Sequence, residues 1–122
     1  MTPWTTDELA RLTAADELQI AGRNDDDTLR KSITIWMVTH DGALYVRSAN
    51  GPDSGWYRGT QLRGLGHISA GGVEKDVTFT RDDSVNTELD AAYEAKYHHA
   101  PSAVASVTSA TATSTTLRVD PQ

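Results

Sequence analysis

An α+β fold with a mostly antiparallel sheet is the class this sequence predicts, and three observations carry it. Ile33–Thr39 and Leu44–Ser48 are rich in β-branched and aromatic residues and are separated by Asp41-Gly42, a tight-hairpin signal. Gly66–Ala70 and Val73–Thr80 repeat the pattern around Gly71-Gly72, with Val73, Val77 and Phe79 on the expected inner face and Glu74, Asp76 and Thr78 outside. Val85, Leu89, Ala92 and Tyr93 recur at helical spacing, which predicts a helix over Val85–Tyr97.

The remaining elements follow in chain order. Thr5 and Glu8 have capping-box spacing, and Trp4 and Leu9 have the spacing of a hydrophobic staple, so a short helix is expected over Thr6–Thr13. Leu18 and Ile20 alternate with polar neighbours, which suits a brief edge strand over Glu17–Ala21. Gly22–Asp27 is polar and turn-rich; its three consecutive aspartates lack a calcium-loop pattern and read as a solvated loop. With Asp41 and Gly42 as the turn, counting outward pairs Val38 with Tyr45, Trp36 with Arg47 and Ile35 with Ser48. Ala49–Gly55 is a Gly/Pro loop, and Trp56–Leu65 reads either as a short helical turn or as an irregular segment. Asp83 or Ser84 is the expected cap of the long helix, and Pro101 ends it. Ser102–Thr113 reads as a short helix or a loop, with Val104 and Val107 packing, before a closing strand over Thr115–Val119.

At 122 residues a single domain with one core is expected. Hydrophobic residues make up 38% and no apolar run approaches a membrane span, so neither a disordered chain nor a membrane protein fits. Without a signal-peptide pattern the expected location is cytoplasmic. The absence of cysteine removes disulfides and thiolate chemistry. A net charge of −6 argues against nucleic acid as a partner. The charge is uneven. Residues 1–43 and 73–122 each hold 8 acidic and 4 basic side chains, whereas residues 44–72 hold only Asp53 against Arg47, Arg58 and Arg63. That cationic middle beside a glycine-rich loop points to a local anion site, against the alternative that each arginine is a solvated or ion-paired surface residue.

Several chemistries have no support. There is no dinucleotide fingerprint, P-loop or nucleophile elbow, and His40, His67, His98 and His99 show no metal spacing. If Gly71-Gly72 closes its hairpin, His67 falls opposite Asp76, as either a surface ion pair or an oriented imidazole.

Tyr45–Gly59 reads Y-V-R-S-A-N-G-P-D-S-G-W-Y-R-G, so a strand ending in Arg-Ser leads through the loop to Trp-Tyr-Arg. A cation, a hydroxyl and flat aromatic surface are what a phosphorylated planar ligand requires. With I-W-M-V-T-H-D-G-A-L before it and L-G-H-I-S-A-G-G-V-E-K-D-V after it, this stretch resembles the small flavin-binding split-barrel proteins, most closely the branch called domain of unknown function 2255. The resemblance implies a six-stranded split β-barrel with flanking helices, a homodimer, and FMN or a deazaflavin as cofactor for a redox reaction. It places Arg47 and Ser48 on the cofactor phosphate, Trp56 and Tyr57 on the aromatic wall, and Arg58 and Arg63 as further anion-binding candidates. No catalytic residue is assigned, because a flavin carries the chemistry itself. The competing expectation is a noncatalytic ligand-binding or dimeric interaction module that keeps the barrel without the cofactor.

Overall fold

A computed structural model describes residues 3–122. Its elements run α1 (Thr6–Ala14), β1 (Leu18–Gly22), β2 (Ile33–Ile35), β3 (Val38–His40), β4 (Ala43–Val46), α2 (Gly55–Gln61), β5 (Leu65–Ala70), β6 (Val73–Arg81), α3 (Asn86–Lys96), α4 (Pro101–Val107), α5 (Ala110–Thr113) and β7 (Leu117–Pro121). All seven strands join one antiparallel sheet in the order β2-β1-β5-β6-β7-β4-β3.

That order forces the sheet to curl. Strands β2 and β3 are its two edges, yet Ile35 and Val38 are separated only by Trp36 and Met37. Laid flat, seven strands at a spacing of about 4.8 Å would put the edges roughly 29 Å apart. Three Cα steps reach at most about 11 Å. The sheet therefore bends into a half-barrel whose edges meet at the Trp36-Met37 link, and no ladder pairs β2 with β3 among the described residues.

The expected six strands become seven at this link. Ile33–Thr39 is not one buried strand: the chain leaves β1's side at Ile35 and joins β4 at Val38. Its first residue, Ile33, is 37% exposed, while Met37 and Val38 are buried. Tyr97 holds the link. Its hydroxyl accepts from the Met37 N–H at 3.2 Å and donates to the Asp16 carbonyl at 2.7 Å, and its ring stacks on Trp36 at 3.8 Å and 5°. The predicted pairing of Val38 with Tyr45 is present, but those of Trp36 with Arg47 and Ile35 with Ser48 are not, because β3 starts only at Val38.

Other departures have local causes. Strand β1 is interior, since its free side takes β2. Helix α3 has Val85 at its N-cap, not the expected Asp83 or Ser84, and no side-chain cap: Asp83 accepts from Arg81, and the Ser84 hydroxyl donates to Asp82. The capping box of α1 forms with Thr5 and Glu8, and the Asp41-Gly42 turn takes φ values of +48° and +80°, as a two-residue hairpin requires.

Two apolar clusters result. Leu18, Ile20, Met37, Leu44, Val46, Ile68 and Val77 fill the concave side, while Val38, Ala43 and Tyr45 meet Leu89, Tyr93 and Tyr97 of the helical layer, with Val104 and Val107. Strand β4 serves both clusters, its residues alternating with the period of two that a strand imposes.

Candidate functional site

The alternation of β4 continues past its end and decides where Arg47 goes. Residues 43 and 45 face the helices, so residue 47 does too. Its side chain is buried, and every N–H of the guanidinium has an acceptor. Nε donates to Thr116 Oγ1 (3.0 Å), Nη1 to Asp90 Oδ1 (2.5 Å) and the Val107 carbonyl (3.3 Å), and Nη2 to the carbonyl and Oδ1 of Asn86 (3.1 and 3.2 Å). The guanidinium carbon also lies 5.6 Å from the Tyr93 ring centroid. Arg47 thus ties β4 to α3, α4 and the approach to β7. A phosphate taken up there has to displace Asp90 or the amide and carbonyl groups of Asn86. Ser48 is equally committed: its N–H donates to Thr115 Oγ1 and its hydroxyl shares a hydrogen bond with Ser54.

Beside this clamp lies a cleft of about 390 Å³ at the gap of the half-barrel. Ile33, Ile35 and Trp36 form one side, Trp56 and the Ala49-Asn50 loop another, and Ala103, Ser106 and Val107 of α4 a third, with Arg47 at its margin. Register explains the apolar side. Ile33 and Ile35 oppose Ile20 and Leu18, so they point to the concave face; Ile35 packs against the main core, while Ile33 at the open edge stays exposed. Trp36 is held by its stack on Tyr97, and Trp56 packs against the main core with its ring edge-on to Tyr57. Tyr57 itself is buried in that core and does not line the cleft.

The cleft runs on into a cationic groove. Ile33 and Trp56 also border a neighbouring hollow lined by Asn24, Arg30, Lys31 and Gly55, and Arg30 and Gly55 border a third with Arg58, Gly59 and Leu62. Close approach of backbones builds this end. A Cβ on Gly22 of β1 would collide with the Gly59 carbonyl of α2, and one on Gly59 would meet Arg30 Nε at 2.5 Å. The two glycines let α2 lie on β1, with the Arg30 side chain across Gly59. Arg30, Lys31 and Arg58 are exposed, and among the described residues none of the three has an ion-pair partner.

The structure therefore separates the three arginines of the cationic middle. Arg47 is a buried clamp, Arg63 pairs with Asp27 at 2.8 Å away from the cleft, and Arg58 alone reaches the groove. Its companions Arg30 and Lys31 come from the acidic first third of the chain. The sequence carried one signal for them, an Arg-Lys pair one residue ahead of a strand, and the close approach of Gly22 to Gly59 brings it to Arg58.

The expected opposition of His67 and Asp76 is present on the convex face. Nδ1 lies 3.1 Å from Asp76 Oδ1 and Nε2 3.2 Å from Glu74 Oε1, while Arg23 donates to Asp76 at 2.9 Å. The His67 hydrogen bond, followed by that from Arg23, holds the Asp76 carboxyl below its usual range. Burial pushes the Tyr97 phenol up to about 12 and raises that of Tyr93, whose hydroxyl has no hydrogen-bond partner among the described residues. No group of three or more metal-ligating side chains forms among the described residues, and no helix there is long and apolar enough to cross a membrane.

No curated protein matches the chain in sequence. A family model described as "Uncharacterized protein conserved in bacteria (DUF2255)" matches residues 8–119, nearly the whole half-barrel with its helices, and the chain belongs to that family.

Proposed function

We propose that this protein binds a flavin or deazaflavin nucleotide in the cleft between Trp36 and Trp56 for use in a redox reaction. The observation that carries the reading is the continuity of an aromatic-walled cleft with a groove bearing three cations that have no carboxylate partner among the described residues. A planar ring system needs flat apolar surface, and its phosphate needs cations and a path to solvent. The donor set fits both needs. When bound, such a group supplies hydride or electron transfer. The chain's own side chains bind and orient: Trp36 and Trp56 flank the ring, Ile33, Ile35 and Val107 keep water from it, and Arg30, Lys31 and Arg58 take the phosphate.

Arg47 with Ser48 is the second candidate for the phosphate, favoured by Arg47's position at the cleft margin. It requires that Arg47 exchange protein acceptors for the ligand. The homodimer implied by the split-barrel resemblance is part of the same proposal, and light scattering across a concentration series tests it, a concentration-independent monomer counting against it.

Titration of FMN, followed by tryptophan fluorescence, tests the reading. Saturable quenching is expected, and Trp56→Ala weakens binding about twofold to tenfold through loss of an aromatic contact. If neither FMN nor a deazaflavin nucleotide binds saturably, the interaction-module reading replaces this one.

A further inference from the structure

On the other side of the Trp36-Met37 link, away from the proposed flavin cleft, a cavity of about 340 Å³ is lined by Thr13, Val38, Thr39, Ala92, Ala95 and Lys96. Apart from Lys96, its walls are apolar except for the hydroxyls of Thr13 and Thr39, which share a hydrogen bond at 2.7 Å while Thr13 donates to the Leu9 carbonyl. Lys96 enters from the last turn of α3. Its ammonium donates to the Met37 carbonyl at 3.0 Å and lies 5.4 Å from the centroid of the Tyr97 ring, both of them neutral partners. No carboxylate pairs with it among the described residues.

We infer that Lys96 is a reactive amine at a binding site for small carbonyl compounds, with aliphatic aldehydes as the ligand class and an imine as the product. A lysine in an apolar cavity without a counter-ion gives up its proton more readily than one in water, and the free amine is the nucleophile. Desolvation lowers the Lys96 pKa, and Asp16 is the charge that acts against this by favouring the ammonium. Val38, Ala92 and Ala95 suit a short alkyl chain. In the reaction the Nζ lone pair adds to the carbonyl carbon to give a carbinolamine. The carbonyl oxygen then leaves as water with the two hydrogens of the amine, and a C=N bond remains. No oxidant or reductant is consumed.

The chain contains three lysines, which makes the test internal. Lys75 is ion-paired with Glu8 at 2.6 Å, while Lys31 is exposed and has no ion-pair partner among the described residues. The protein is treated at pH 7 with propanal and cyanoborohydride, which traps the imine as a propylamine, and each lysine is followed by peptide mass mapping. Lys96 is expected to label several-fold faster than Lys31, at a rate that saturates with propanal concentration, whereas Lys31 responds linearly. Ala92→Leu, which fills the cavity and keeps the amine, is expected to slow Lys96 several-fold and leave Lys31 unchanged. Equal or faster labelling of Lys31, a linear response at Lys96, or indifference to Ala92→Leu would each overturn the inference. None of these outcomes depends on whether a flavin binds.

Discussion

Replacing Tyr97 with phenylalanine removes one oxygen atom from the point where the half-barrel's edges meet. The Met37 N–H, in a fully buried residue, loses its acceptor, while the exposed Asp16 residue can turn its carbonyl to water. An unsatisfied buried donor costs about 1–3 kcal/mol. At an unfolding entropy of about 2.1 cal/mol/K per residue, each kcal/mol moves the melting temperature of a chain this long by about 4 °C, so a drop of about 4–12 °C is expected. The stack of ring 97 on Trp36 survives, and ligand affinity at the cleft should change little.

The same variant has a pH signature. Burial pushes the Tyr97 phenol up to about 12 from its ordinary value of 10.0. A folded pKa raised in this way gives stability that is complete below about pH 10 and is lost as the pH rises towards 12. The variant lacks that loss, so the gap between the two proteins should narrow over this range. Thermal melts by circular dichroism at pH 7 to 11.5 measure both effects. Equal melting temperatures at pH 7, or a gap that stays constant with pH, would refute the account of the link.

Two further outcomes follow from the site geometry. Arg47→Ala should destabilise by about 3 kcal/mol in urea unfolding, the low end for breaking a buried ion pair because Asp90 remains partly in water; a loss below 1 kcal/mol would show that the clamp is not structural. Gly22→Ala forces α2 away from β1 and should cost about 1–3 kcal/mol as an overpacked contact while also weakening FMN, since Trp56, Gly59 and Arg58 ride on α2; unchanged stability and affinity would contradict the close approach.

How far the sequence alone reached depends on the range of the interaction involved. Local signals were legible. The Thr5–Glu8 capping box, the Asp41-Gly42 and Gly71-Gly72 turns, and the inner face of Val73, Val77 and Phe79 depend on neighbours a few residues away. The split of Ile33–Thr39 was not, because a β-rich run carries no mark of where it changes partner strand; the break is dictated by Tyr97, some 60 residues on. Arg47 shows the same limit at the candidate site. Counting outward from the hairpin turn paired it with Trp36, but the acceptors that occupy its guanidinium come from residues 86, 90, 107 and 116. Charge counting by segment grouped Arg47, Arg58 and Arg63, whereas space groups Arg58 with Arg30 and Lys31.

The most direct test of the proposed site compares FMN with riboflavin, the same ring system without the phosphate, in the parent and in Arg58→Ala and Arg30→Ala. Each charge-assisted contact to phosphate is worth about 1.5–3 kcal/mol, so either substitution should weaken FMN roughly tenfold or more and leave riboflavin nearly unchanged. Both side chains are exposed, and melting temperatures close to the parent's should accompany that selective loss. Equal weakening of both ligands, or no weakening of FMN, in properly folded variants would contradict the assignment of the phosphate to the Arg30, Lys31 and Arg58 groove.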